Sequence, residues 1–66
     1  MDPNSVYDSF KKKGANPSFE NRKRVYYMNY GHDEEYRGTP AQNNRMNDDI
    51  KRGRLYLGLL GEKMLV

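Results

Sequence analysis

The sequence predicts an all-α domain, a compact bundle of three short helices with a C-terminal apolar segment. Each of the three prolines follows a residue that can cap a helix, in the pairs Asp2-Pro3, Asn16-Pro17 and Thr39-Pro40. Proline suits the first helical position, so three helix starts are indicated. A chain of 66 residues can support only one small core.

The first helix is predicted over residues 3–13, with Asp2 as its cap and Gly14 as its stop. Val6 and Phe10 lie one turn apart on the face that should be buried. The last turn holds three consecutive lysines, Lys11, Lys12 and Lys13. The helix dipole favours positive charge at this end, and a dedicated anion-binding cluster is the alternative interpretation.

The second helix is predicted from Asn16-Pro17 to about Asn29, with Gly31 as its stop. A helical wheel places five apolar or aromatic residues on one stripe: Phe19, Val25, Tyr26, Met28 and Tyr30. Tyr27 falls outside that stripe. We therefore expect an exposed tyrosine beside Arg24, able to stack on a sugar or a base.

The third helix has the strongest start signal in the chain. Thr39 can cap it, Pro40 suits its first position, and Gln42 stands where a capping-box side chain folds back. Tyr36, just ahead of the cap, is expected to pack beneath the helix. The helix is predicted over residues 40–52, with four residues assigned by helical spacing: Met46 and Ile50 inward, Asp48 and Asp49 largely outward.

The loop before Tyr36 is acidic and contains the only histidine. It reads His32, Asp33, Glu34 and Glu35. Four consecutive side chains cannot all face one ion, so we predict a solvated loop, no metal site and no cofactor.

Residues 54–66 differ in character from the module formed by residues 1–53. Four leucines stand close together here: Leu55, Leu57, Leu59 and Leu60. Their spacing fits neither a helix nor a strand well. The segment is predicted either to complete the core, as a short helix or an extended strand, or to form a self-association surface.

Composition favours binding over catalysis. The net charge of +3 is unevenly spread: residues 1–30 carry six basic and three acidic side chains, residues 31–50 two and five, and residues 51–66 four and one. These charges favour a polyanionic partner only if the fold brings the two basic end segments close together. One histidine in an acidic loop, with no converging nucleophile, predicts a protein that is not an enzyme.

The chain contains no cysteine, which excludes disulfides and cysteine-ligated zinc. It has no apolar run long enough to cross a membrane and no signal-peptide pattern. We expect a soluble protein without membrane insertion, associated with a phage or a cell wall, or otherwise cytoplasmic.

The order and spacing of several short motifs resemble a known module. They are Ser5-Val6-Tyr7-Asp8-Ser9-Phe10-Lys11, Gly14, Ser18-Phe19, Asn21-Arg22-Lys23, Tyr30-Gly31, Tyr36, Gly38-Thr39 and Gln42-Asn43. Together they are similar to a short helical module of endolysins and other wall-associated proteins of Gram-positive bacteria and their phages. The resemblance covers about residues 5–50.

That resemblance implies a non-catalytic accessory module that helps to hold a protein on the cell wall. It implies core positions for Val6, Phe10 and Phe19. It also implies turns at Gly14 and Gly38 and a cap formed by Thr39 and Gln42. Arg22 is the matched polar residue that we consider for ligand contact, and a salt bridge to Asp8 is the alternative.

Two binding functions follow, with a third class beside them. In the first, the chain binds an anionic cell-wall polymer. The sugars of the polymer stack on Tyr27, or on Tyr7 or Tyr56. Its phosphates or carboxylates contact five basic residues: Lys11, Lys12, Lys13, Arg22 and Arg24. In the second, two helices joined by a glycine-containing turn grip duplex DNA as a helix-extended-helix module does. The third is a phage structural or assembly protein that docks on a virion partner, or on its own copy, through residues 54–66.

Overall fold

The computed structural model describes residues 5–59, and within that range the chain forms three α-helices and no strand. They are α1 (Ser5–Lys12), α2 (Phe19–Tyr30) and α3 (Pro40–Lys51). Helices α1 and α3 pack directly against each other. The predicted all-α class is confirmed, and residues 54–59 follow α3 as an irregular segment.

Helix α3 begins as its sequence predicts. The Thr39 hydroxyl accepts a hydrogen bond from the Gln42 N–H at 3.1 Å, and the Gln42 side chain accepts one from the Thr39 N–H at 3.3 Å. Pro40 occupies the first helical position. This capping box satisfies two backbone donors that the helix itself cannot.

Helix α2 begins two residues later than the Asn-Pro signal predicts. Its cap is Ser18, whose hydroxyl accepts from the Asn21 N–H at 3.2 Å. The Asn16 side chain instead accepts from the Ser18 N–H at 3.0 Å and shapes the turn ahead of the helix. The prediction of an Asn16 cap is wrong because Ser18 can reach the third helical N–H. The stop at Gly31, with φ +83°, is confirmed.

The last residue of helix α1 is Lys12, one residue earlier than predicted, and Gly14 stops the helix as predicted. The Gly14 N–H donates to the Lys11 carbonyl at 3.0 Å, and the Ala15 N–H reaches back to the Phe10 carbonyl at 2.9 Å. This Schellman arrangement needs a positive φ, which is +80° at Gly14, and the same arrangement ends α3 at Gly53. The predicted cap at Asp2 lies outside the described residues.

The core contains residues from all three helices, from both loops between them and from the segment after α3. Its members are Val6, Phe10, Ala15, Val25, Tyr26, Tyr36, Met46, Ile50, Leu55 and Leu57. Three residues predicted for the buried stripe of α2 are not in it: Phe19 is 41% exposed, Met28 is 39% exposed, and Tyr30 is half-buried against the core. The stripe is displaced because Val25 and Tyr26, near the middle of α2, point most directly inward.

The described part of the C-terminal segment completes the core and lies against α2. Leu55 and Leu57 are buried, and Leu59 is half-buried, so the first two already pack within their own domain. The segment is neither helix nor strand. This arrangement supports core completion over self-association at Leu55 and Leu57, whereas Leu60 lies outside the described residues.

One amide side chain of α2 binds the backbone of this segment at both of its polar groups. Asn29 donates to the Tyr56 carbonyl at 2.8 Å, and its own carbonyl oxygen accepts from the Tyr56 N–H at 2.8 Å. The same amide also donates to the Val25 carbonyl within α2. Asn29 therefore replaces the partner strand that an extended backbone would otherwise require.

We expect Asn29→Ala to lower the free energy of unfolding by about 1 to 3 kcal/mol, because both partly buried backbone groups of Tyr56 lose their partner. Asn44→Ala is the matched control. Asn44 lies in α3 and makes no side-chain hydrogen bond within residues 5–59, so its loss should stay within about 0.5 kcal/mol. Urea unfolding of both variants measures the difference, and equal stabilities would show that the Asn29 amide does not hold the segment.

Candidate ligand-binding surface

The loop between α2 and α3 is closed by the buried side chain of Gln42. Its amide nitrogen donates to the Glu35 carbonyl at 2.8 Å, and its amide oxygen accepts from the Arg37 N–H at 2.8 Å as well as from Thr39. One side chain thereby satisfies three backbone groups of the loop. Gln42 thus has a structural role.

Asn43 continues this closure and fixes the ring of Tyr36. The Tyr36 hydroxyl donates to the Asn43 side chain at 2.5 Å, and the Asn43 amide donates to the Gly38 carbonyl at 3.2 Å. Tyr36 is buried beneath α3, as predicted. The motif from Tyr36 to Asn43 is therefore used inside the domain, and ligand contacts have to come from other residues.

Gly38 brings this loop against the start of α2. Its φ is +70°, and a Cβ at this position would lie 3.1 Å from the Phe19 ring. The Phe19 ring also packs on Tyr36, with ring centroids 5.3 Å apart. Phe19 is thus supported from below by the loop while much of its ring remains open to solvent.

Arg22 lies beside the exposed Phe19 ring without an acidic partner. Its guanidinium carbon is 6.0 Å from the ring centroid, a cation–π arrangement. The side chain is half-buried, and its Nε is buried with no hydrogen-bond partner in the described residues. The alternative salt bridge to Asp8 is not formed, since the one ion pair within residues 5–59 joins Arg37 and Glu35.

A second exposed pair of an aromatic ring and a cation lies on α1. The Lys11 ammonium is 5.7 Å from the centroid of the Tyr7 ring, which is 43% exposed. Lys12 and Lys13 follow it and are also exposed. The three lysines predicted as ligand residues are therefore accessible.

Arg24, also predicted to contact a ligand, is partly engaged within the domain. It donates to the Leu57 carbonyl at 3.3 Å and to the Asn21 side chain at 2.9 and 3.1 Å. These bonds help to hold the C-terminal segment on α2. Arg24 remains exposed at the surface, but its guanidinium has a structural role.

Tyr27 does not present the free, exposed ring that the helical wheel predicts. It is half-buried, and its hydroxyl accepts a hydrogen bond from the Tyr36 N–H at 2.9 Å. His32 stacks on the ring with centroids 4.1 Å apart. The loop thus folds back over Tyr27, which a wheel of α2 alone cannot show.

A cluster of tyrosines around Arg45 is absent from the sequence predictions. The Arg45 guanidinium lies 3.7 Å from the Tyr30 ring centroid. The Tyr26 hydroxyl donates to Glu34 and the Tyr30 hydroxyl to Asp49, both at 2.5 Å. Asp49 therefore does not point freely outward as expected. The four-residue spacing of Tyr26 and Tyr30 is the sequence signal that indicated a shared face.

This cluster raises the pKa of two phenols. The hydrogen bond to Glu34, followed by burial, raises the pKa of Tyr26, and the same bond lowers the pKa of Glu34. Burial, followed by the bond to Asp49, raises the pKa of Tyr30. Burial also raises the pKa of Tyr36, while the Arg22 charge acts in the opposite direction.

Residues 5–59 lack two further kinds of feature. They contain no group of three or more His, Asp or Glu side chains placed to hold a metal ion. They also contain no helix long and apolar enough to cross a membrane.

No family model, curated protein or solved structure matches the chain. The similarity of residues 5–50 to the wall-associated module thus stays a prediction from short motifs. Its best-defined part, Tyr36 to Asn43, is accounted for by contacts within the domain. Function has to be argued from the surface.

Stability should decrease as the pH rises above about 10, where tyrosines of an unfolded chain release their protons. The raised pKa values of Tyr26, Tyr30 and Tyr36 keep the native phenols protonated at that pH. The unfolded chain then binds fewer protons than the native chain, so the free energy of unfolding falls. Urea unfolding at pH values from neutral to alkaline measures this slope.

Tyr30→Phe serves as the control for this pH dependence. It removes one titrating group together with the bond to Asp49, so it lowers stability at neutral pH but should make the alkaline slope shallower. An unchanged slope would contradict the assignment of the pH dependence to the buried phenols.

Proposed function

We propose that the chain is a non-catalytic module, encoded by a Gram-positive bacterium or its phage, that binds an anionic polymer of the cell wall. The observation that carries this proposal is the pair of exposed aromatic–cation contacts, Tyr7 with Lys11 and Phe19 with Arg22. Wall polymers combine sugar rings with phosphates or carboxylates. An exposed ring offers a stacking face for the sugar, and the adjacent cation offers charge-assisted hydrogen bonds to the oxyanion.

The repetitive nature of such a polymer supports this interpretation. Each contact alone is small, since exposed charges interact weakly in water. A chain that presents the same sugar and anion many times can engage two modest sites at once, and linked binding events raise the overall affinity without new contacts. Two separate aromatic–cation pairs on one small domain suit that mode of binding.

The proposal is for a binding module because the reactive side chains of the described part already have other roles. His32 stacks on Tyr27 in an exposed loop. Ser9 donates to Asn47, and Ser18 caps α2. A nucleophile needs a base within hydrogen-bond reach and a group that orients the base, and these residues do not converge in that way.

Duplex DNA is the alternative partner, and the exposed lysines at the end of α1 favour it. Lys11, Lys12 and Lys13 are all accessible and follow one another directly. Lysines of this kind bind phosphates of a DNA backbone without reading sequence. The exposed rings of Tyr7 and Phe19 have no use in that mode of binding, and for this reason we favour the wall polymer.

Purified Gram-positive cell walls should retain the chain in a sedimentation assay, and the double variant Tyr7→Ala, Lys11→Gln should be retained about tenfold more weakly, since it loses both a stacking face and a charge. Arg52→Gln is the control for charge alone. Arg52 is exposed at the end of α3, and its side chain makes no hydrogen bond or ion pair within residues 5–59.

Binding of the same proteins to duplex DNA at low and moderate salt completes the experiment. DNA binding that falls steeply with salt, together with no retention on walls, would overturn the wall proposal in favour of nucleic acid. Equal retention of the double variant and Arg52→Gln would show that net charge, and not the aromatic–cation pair, holds the chain on walls.

A further inference from the structure

We infer that Arg22 and Phe19 form a specific subsite for a sugar residue that carries an oxyanion, either a phosphate or a carboxylate. The inference rests on the proposed function and names the ligand chemistry of one of its two contacts. The site consists of the Phe19 ring and the Arg22 guanidinium over it, 6.0 Å from the ring centroid, at the start of α2 and against the loop at Gly38.

Within residues 5–59, the side chain of Arg22 contains an unpaired polar atom. Its Nε is buried without a partner in the described residues, and a buried donor without a hydrogen bond costs about 1 to 3 kcal/mol. Native structures contain few such groups, and each calls for an explanation. The Nε itself is enclosed by the protein, so an incoming oxyanion would bond the terminal nitrogens of the same guanidinium, and that bond replaces hydration that burial has already removed in part.

Arg22 also has no counter-charge paired with it among the described residues. Three acidic side chains have partners other than Arg22: Glu34 bonds Tyr26, Asp49 bonds Tyr30, and Glu35 pairs with Arg37. Arg22 has no acidic partner within residues 5–59. The half-buried cation is thus available for the negative charge of a ligand.

Neighbouring residues hold the Phe19 ring in place. The ring lies against Tyr36 and directly over Gly38, where a Cβ would come within 3.1 Å of it. Tyr36 is itself fixed by Asn43. A partly exposed ring that neighbouring residues already hold in place loses little conformational freedom when a sugar packs on it, which favours affinity. The exposed Tyr7 on α1 has no comparable support among its ring contacts.

Ring and cation together select the ligand class. A neutral sugar uses only the ring, and a free phosphate uses only the guanidinium. A sugar with an attached phosphate or carboxylate uses both at once, because the guanidinium lies within about one sugar width of the ring centroid.

An NMR titration tests the site with three small probes: glucose 6-phosphate, glucuronate and glucose. We expect either or both charged sugars to shift the Arg22 Nε–Hε signal and the Phe19 ring signals, and glucose to shift them much less. The comparison of the two charged sugars identifies the oxyanion. Shifts confined to Lys11, Lys12 and Lys13, or equal shifts with glucose, would overturn the site.

Variants separate the geometry of the site from its charge. Arg22→Gln should weaken binding of the charged sugar about tenfold or more. Arg22→Lys should also weaken it, because lysine keeps the charge but lacks the planar fork. Phe19→Leu should reduce binding while leaving the Arg22 charge in place, and Arg52→Gln should bind like the parent chain. Equal binding by Arg22→Gln and Arg52→Gln would overturn the inference.

Failure of this inference is distinguishable from failure of the proposed function. If walls retain the parent chain and Arg22→Gln equally, the module binds walls through other residues and the Arg22 subsite is wrong. If the charged sugars bind at Arg22 but walls do not retain the chain, the subsite stands and the wall is not the source of its ligand. Amide spectra of each variant establish that it keeps the parent fold.

Discussion

Tyr36 joins the parts of this domain, and the rest of the fold depends on its contacts. Its N–H donates to the Tyr27 hydroxyl in α2, and its own hydroxyl donates to Asn43 in α3. Its ring lies between Tyr26 and Phe19, with centroids 5.1 and 5.3 Å away. One residue of a loop thus fixes the relative positions of two helices, which is economical for a core formed by so short a chain.

The parts of the fold that sequence can predict are those whose partners are close along the chain. Thr39 and Gln42 are three residues apart, and their capping box forms as expected. The same local reasoning fails at Asn16, because Ser18 offers a better-placed hydroxyl two residues later. Tyr27 shows the limit more clearly. Its partner is the backbone of Tyr36, which only the folded loop brings within reach.

The candidate site was predictable by residue type but not by arrangement. The lysines of α1 and Arg22 were identified from charge and motif position, and both are accessible at least in part. The exposure of Phe19 was missed, since a phenylalanine on the apolar stripe of a helix is expected to be buried. Its ring packs against Tyr36 and Gly38, while 41% of the residue stays exposed.

Acidic residues of the middle segment, residues 31–50, bond tyrosines within the domain. Glu34 and Asp49 accept hydrogen bonds from tyrosines, so these acidic groups of the middle segment are committed to phenols and not to lysines. Arg45 covers the same tyrosine cluster. The basic residues of α1 and of the start of α2 form no ion pair within the described residues, which suits an anionic partner.

Asn29 bonds only the backbone of Tyr56, so these bonds do not depend on which residue occupies that position. Another feature has to set the register of the C-terminal segment. Leucines recur at every second position from Leu55 to Leu59, so a slip of two residues would keep both the amide bonds and an apolar pair in the core. Gly58 opposes such a slip, because its φ of +72° is a left-handed conformation that favours glycine. A Cβ there would lie 3.1 Å from the Arg24 guanidinium, and a two-residue shift would bring a leucine to that point. The residue that selects one register among equivalent leucines is thus the one without a side chain.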